Sequence, residues 1–128
     1  MHVPEQTGIV LVDHGSRVPE ANAMLDEVAA RFAQATGAVI VEPAHMELAE
    51  PTIEQAFDRC VERGAAMVII QPYFLSPGRH STEDIPRIAA AAAERHPNIP
   101  WRVGDALGVD SRMNDIILRR ILETLAKM

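Results

Sequence analysis

Residues 65–81 read AAMVIIQPYFLSPGRHS. The run from Ala66 to about Pro72 is apolar and β-branched, the composition of a central strand covered on both faces. Strands of that kind belong to parallel sheets, whose crossovers are helical. The flanking sequence supplies both helices and further strands. Upstream, GIVLVDHGS (residues 8–16) gives a strand over Gly8 to Asp13 that ends on His14. A helical pattern follows from about Pro19 to Ala35, stopped by Gly37 where a left-handed C-cap is required. Val39 to about Ala44 is the second strand. Thr52 and Gln55 have capping-box spacing at the head of a second helix that ends at Gly64.

Downstream of the central strand, a third helix is expected from about Asp84 to Arg95, with Pro86 restricting its start to the first turn. His96 and Pro97 break the chain, with His96 read as a C-terminal cap. Trp101 to about Ala106 is the fourth strand. The fourth helix, about Asp110 to Ala126, is read as capped by Asp110, with Met113, Ile116, Ile117, Ile121 and Leu125 on one face. Four strand–helix pairs with right-handed crossovers predict an α/β fold, a doubly wound three-layer αβα sandwich around a four-stranded parallel sheet. At 128 residues the chain suits one domain, 1–128, and no repeat or linker interrupts it.

Composition narrows the function. The net charge of −6 argues against general binding to nucleic acid or to an anionic membrane, both of which need a basic surface. Lys127 is the only lysine, so the other basic residues are arginines, whose forked guanidinium matches carboxylates and phosphates. A single cysteine, Cys60, rules out an intramolecular disulfide and a cysteine-rich zinc site, and its helical context makes it a core residue. The N-terminus shows no basic region followed by a long apolar stretch, and no apolar run reaches the roughly 20 residues that span a bilayer. A cytoplasmic protein is expected.

In an open α/β sheet, ligands bind beyond the carboxyl ends of the strands. The segments there are HGSR (His14–Arg17), HMELAEP (His45–Pro51), FLSPGRHS (Phe74–Ser81) and ALG (Ala106–Gly108). They gather His14, His45, His80, Glu47, Glu50, Glu83, Arg17 and Arg79 on one edge. Two imidazoles and a carboxylate from different strands suit a divalent transition metal. His45 is read either as a further ligand or as a side chain packed beside the sheet. Asp13 either orients His14 or pairs with an arginine, and His2 belongs to a terminal tail.

The segments LVDHGSRVPEAN, VEPAHMELAEPTIEQAFDRCVERGA, IIQPYFLSPGRHSTEDIPRI and GDALGVDSRM together resemble the short sirohydrochlorin chelatases, the small CbiX/SirB-type cobaltochelatases and ferrochelatases among the class II tetrapyrrole chelatases. The resemblance covers almost the whole chain. It implies a lyase-class chelatase that inserts divalent cobalt, iron or nickel into sirohydrochlorin, an isobacteriochlorin with eight carboxylates, with release of two protons. It implies no organic cofactor, the metal being a substrate. His14, in a His-Gly-Ser motif, and His80, in a Gly-x-His motif, match the positions that hold metal and take protons from the ring. Glu47, within MELAEP, matches an acidic residue of the same cleft in larger relatives. Arg17 and Arg79, with Ser16 and Ser81, flank the histidines and can hold substrate carboxylates, or be solvated loop residues.

Longer chelatases hold two similar halves around one cleft. This chain supplies one half, so a homodimer with a shared cleft is expected. Two rivals remain. Histidine phosphatases also place His-Gly after their first strand but need an arginine before it, where this chain has Asp13. A metal or tetrapyrrole carrier without turnover would use the same ligands as a chelatase.

Overall fold

The computed structural model describes residues 2–78 and 80–128, with the side chains of all of these except His80 and Ser81. In chain order the elements are β1 (Thr7–Asp13), α1 (Pro19–Thr36), β2 (Ile40–His45), α2 (Ile53–Glu62), β3 (Met67–Pro72), a π-helical turn (His80–Asp84), α3 (Ile85–Ala93), β4 (Trp101–Val103) and α4 (Met113–Ala126). The four strands form one parallel sheet in the order β2-β1-β3-β4. The expected α/β architecture is what the chain adopts.

Alternation along the strands separates two apolar layers. In register, Val10 pairs with Ile70, and Ile70 with Val103, so these side chains share one face. There Val10, Val12, Val68 and Ile70 are buried against Ala56, Phe57 and Cys60 of α2 and Ile85, Ala89 and Ala92 of α3. On the other face Ile9 and Leu11 pack with Leu25 and Ala29 of α1. Phe57 is fully buried, and truncating such a side chain to alanine typically costs about 3–5 kcal/mol. The close approach of α2 to β1 depends on Gly8, where a Cβ would lie 2.8 Å from the Cys60 Cβ.

Two helix ends follow the sequence closely. Thr52 Oγ1 accepts from the Gln55 N–H at 3.1 Å and Gln55 Oε1 accepts from the Thr52 N–H at 2.9 Å, closing the capping box. Gly37 has φ 73° and donates its N–H to the Ala33 carbonyl. Elsewhere the structure departs from expectation. β4 is three residues long: the Gly104 N–H still donates to the Ile70 carbonyl at 2.9 Å, Pro72 has no N–H to continue the ladder, and the Asp105 carbonyl instead accepts from Gln71 Nε2 at 2.7 Å. His96 is not a simple cap: its Nε2 lies 2.7 Å from Asp58 Oδ1 and its ring stacks on Phe57, tying the end of α3 to α2.

The fourth helix departs most. Asp110 does not cap it: Asp110 Oδ1 accepts the Arg112 N–H at 2.9 Å within a turn, and α4 begins after Arg112 with no side-chain cap. No residue of α4 is buried. Consequently α1 alone covers its face of the sheet, over β1 and β2, while Met67, Ile69 and Gln71 of β3 on that face stay half-buried. No helix among the described residues is long and apolar enough to cross a membrane.

Candidate functional site

The carboxyl ends of β1 and β2 do not separate where the strands stop. The Met46 N–H donates to the Asp13 carbonyl at 2.9 Å and the Glu47 N–H to the His14 carbonyl at 3.1 Å. These bonds carry the β1–β2 ladder one step further and hold Glu47 beside His14. The contact requires Gly15: with φ 90°, a Cβ there would collide with the Glu47 carbonyl oxygen. Opposite it, Leu48 is the one described non-glycine residue with positive φ, at 71°. Bulky residues rarely adopt that conformation, and such strain concentrates at functional sites.

On its other side β1 is joined to the loop after β3, where the Tyr73 N–H donates to the Val12 carbonyl at 2.7 Å. Phe74 then stacks on the His14 ring, centroids 4.4 Å apart and planes 25° off parallel. His14 is exposed, and the stack sets the plane of its ring. Behind it, the carboxylate of Asp13 and the ring of His45 form a pair at 2.6 Å, with the His45 side chain 2 % exposed. Of the two readings of His45, packing beside the sheet is the one realised, and Asp13 pairs with this histidine rather than with an arginine.

Ser16 lies next to His14 with its Oγ accepting the Val18 N–H at 3.0 Å, and Asn22 clamps the Ser16 backbone through Oδ1 and Nδ2. Arg17 is exposed just beyond. Glu50 receives the Gln55 amide at 3.3 Å and stands beside α2, and Glu83 is exposed on the π turn. Arg79 and the side chains of His80 and Ser81 lie outside the described residues. The backbone of His80 opens the π-helical turn, which is set by the Thr82 N–H and Oγ1 both donating to the Gly78 carbonyl. Such turns recur at functional sites. Since β1 and β3 are neighbours, the loops carrying His14 and His80 leave adjacent strands at the same edge. Among the described residues, no three His, Cys, Asp or Glu side chains stand together as a ready metal cage.

Beside this edge, a cleft of about 330 Å³ opens between the ends of β3 and β4, lined by Pro72, Pro77, Thr82, Pro86, Asp105 and Ala106. Leu48, Tyr73, Leu75, Leu107 and Val109 add exposed apolar side chains nearby in the strand-end loops. Exposed apolar side chains in the same strand-end loops as an exposed imidazole and carboxylate suit the face of a flat ring better than a small hydrated anion. Phe74 and Leu48 were not singled out from sequence. An aromatic among the strand-end segments was a signal for the first; nothing in the sequence announces the backbone of the second.

Comparison with known proteins identifies relatives of the chain as a whole. The family model described as CbiX matches residues 8–124. The sirohydrochlorin ferrochelatase, chloroplastic, of Arabidopsis thaliana is 45 % identical over 124 residues, covering 97 % of this chain and 55 % of that protein. The sirohydrochlorin cobaltochelatase of Methanosarcina acetivorans is 30 % identical, covering 94 % of this chain and 98 % of that protein. The crystal structure of the chelatase SirB from Bacillus subtilis subspecies spizizenii in complex with cobalt superposes with a TM-score of 0.81 at 32 % identity, covering 92 % of this chain and 50 % of that one. The chain therefore spans about half the length of several curated relatives it matches. Sheet order, strand-end motifs and a family match over nearly all of its length agree, and the chain belongs to the CbiX family.

Proposed function

We propose that this protein is a sirohydrochlorin chelatase, inserting divalent cobalt, iron or nickel into the tetrapyrrole. The observation that carries the reading is the exposed His14, stacked on Phe74 and held against Glu47 by a backbone bond at the open edge of the sheet. Insertion exchanges two inner N–H protons of the ring for one metal ion. An imidazole that is largely neutral near pH 7 can hold the arriving ion or accept a ring proton, and His14 and His80 take these roles. Glu47 balances the metal charge or passes the proton to solvent. Arg17, Arg79, Ser16 and Ser81 hold the substrate's peripheral carboxylates. No organic cofactor takes part in these steps.

Residues 1–128 form one half of a two-half architecture, and two copies pair so that each cleft is built between subunits. Support comes from the half-length match to SirB and from relatives, such as that of Methanosarcina acetivorans, matched over nearly their whole length. The setting proposed is the cytoplasm; the Arabidopsis relative carries a chloroplast designation, so location is not a family trait. The ligand chemistry does not choose among the three metals, which all accept imidazole. The test is steady-state metallation of sirohydrochlorin followed by its absorption change, with each ion in parallel. Many turnovers per site above the spontaneous rate are expected. A burst of one equivalent followed by no further product would replace the chelatase with a carrier.

A further inference from the structure

We propose that Phe74 is a positioning residue for metal insertion, holding the His14 ring by its stack in place of a hydrogen bond; the proposal rests on the metal-holding role given to His14 above. An imidazole that binds metal through one nitrogen almost always donates from the other to a carboxylate, a carbonyl or water, and that bond orients the ring. Two other histidines of the chain are oriented by carboxylates, His45 on Asp13 and His96 on Asp58. Among the described residues His14 has no such partner on either ring nitrogen, and the adjacent Asp13 carboxylate is already taken by His45. The contact its ring does make is with Phe74, centroids 4.4 Å apart and planes 25° off parallel.

A stack can orient a ring only if its platform is held. The Phe74 side chain is half-buried and packs against the apolar layer between the sheet and helices α2 and α3. Its backbone is bonded on both flanks. The Tyr73 N–H donates to the Val12 carbonyl at 2.7 Å on the β1 side, and the Leu107 N–H donates to the Phe74 carbonyl at 3.0 Å from the chain beyond β4. The Gly108 N–H adds a bond to the Leu75 carbonyl at 2.8 Å. His14 is the opposite case: its carbonyl is bonded to the Glu47 N–H, but its side chain is exposed. The phenyl ring is thus the anchored partner, and the imidazole is the one that is placed.

A stack sets a plane without occupying a nitrogen, so it orients His14 and leaves its binding capacity whole. Aromatic pairs change an equilibrium by roughly two- to tenfold beyond the area they bury. Metal binding draws electrons from an imidazole, and a ring made positive is attracted more strongly to a phenyl face. The contact is therefore stronger with the ion bound than without it, and Phe74 adds to the affinity for the metal as well as to its placement.

Wild type, Phe74→Leu and Phe74→Tyr test this, with far-UV circular dichroism confirming the fold of each. Leucine keeps an apolar side chain against the core without a ring, and tyrosine keeps the ring. The readouts are the NMR positions of the His14 ring C–H protons, assigned with His14→Ala, the affinity for Co2+ alone by calorimetry, and the separate KM values for Co2+ and sirohydrochlorin. In the wild type those protons are expected upfield, shielded by the phenyl face, and in Phe74→Leu at ordinary imidazole positions. Phe74→Leu is expected to bind Co2+ about five- to tenfold more weakly and to raise the KM for Co2+ by a similar factor, with the KM for sirohydrochlorin changed less than about twofold. Phe74→Tyr is expected to recover the shift and most of the affinity. Unshifted His14 protons in the wild type overturn the stack. Wild-type Co2+ affinity in a folded Phe74→Leu assigns the ring to core packing alone and overturns the proposal, as does a folded Phe74→Tyr that has lost the affinity. If Phe74→Leu does not fold, the wild-type shift and the Phe74→Tyr affinity decide in the same way. Shift and affinity are read without turnover: a wild type that binds Co2+ but never metallates sirohydrochlorin overturns the chelatase reading and leaves Phe74 its role, whereas one that binds no Co2+ overturns both.

Discussion

His45 Nδ1 lies 2.6 Å from Asp13 Oδ1 and joins the ends of β1 and β2, one residue before His14 and two before Glu47. Because the His45 side chain is only 2 % exposed, the pair works as a buried clasp under the site. His45→Ala would leave the Asp13 carboxylate without its partner. A loss of about 1–3 kcal/mol in urea unfolding is expected, together with reduced metallation, while His45→Asn retains part of both. A change below about 0.5 kcal/mol would remove the clasp from the account.

Gly15 and Gly37 both have positive φ, but their surroundings differ. A Cβ at Gly15 would collide with the Glu47 carbonyl, whereas one at Gly37 would meet nothing within 4 Å. Both alanine variants carry the left-handed backbone cost of about 1–2 kcal/mol. Only Gly15→Ala is expected to push the two loops apart. Its metallation rate should fall more than about tenfold, against little change for Gly37→Ala; equal rates for the two would separate the loop contact from function.

Asp58 supplies a pH dependence. Burial pushes its carboxyl up, but hydrogen bonds from His96 and Arg95, with their positive charge, outweigh this and hold it below the usual carboxylate value. A depressed folded value means the stabilisation is present above the unfolded value of about 3.9 and is lost as pH falls through the folded one. Since the side chain is 36 % exposed, solvent screening limits the effect to about 1 kcal/mol or less. Wild type and Asp58→Asn should therefore differ in thermal midpoint at pH 6 and converge toward pH 2.

Cys60 behaves oppositely. Burial, with the nearby Glu42 carboxylate adding to it and Arg63 opposing it, pushes the thiol up to about 12. A raised folded value keeps the stabilisation intact below the unfolded value of about 8.5 and removes it as pH rises toward 12. At pH 8 the thiol should resist an aromatic disulfide reagent and react only as fast as the chain unfolds. Immediate stoichiometric labelling of folded protein would contradict its burial between α2 and β1.

The fold was legible where local chemistry alone decides the outcome. The Thr52–Gln55 box and Gly37 act within four residues of backbone, so their sequence signal is their structural effect. Three features depend on partners distant in the chain. Gln71 reaches the Asp105 carbonyl just beyond β4 from another strand, Asp58 of α2 takes His96, and Asp13 takes His45 from 32 residues away. The apolar pattern of α4 predicted a helix facing the core, since a stripe records that burial is needed but not by which molecule. The edge proposed to carry the site was readable as a location because every strand of a parallel sheet ends there.

The central claim is that His14 and His80 perform metal insertion at that edge. Steady-state metallation by wild type, His14→Ala and His80→Ala, with circular dichroism confirming the fold of each, tests it most directly. Many turnovers per site are expected for the wild type and a loss of at least about 100-fold in each variant, the scale of removing a general base. Near wild-type rates in both variants would contradict it.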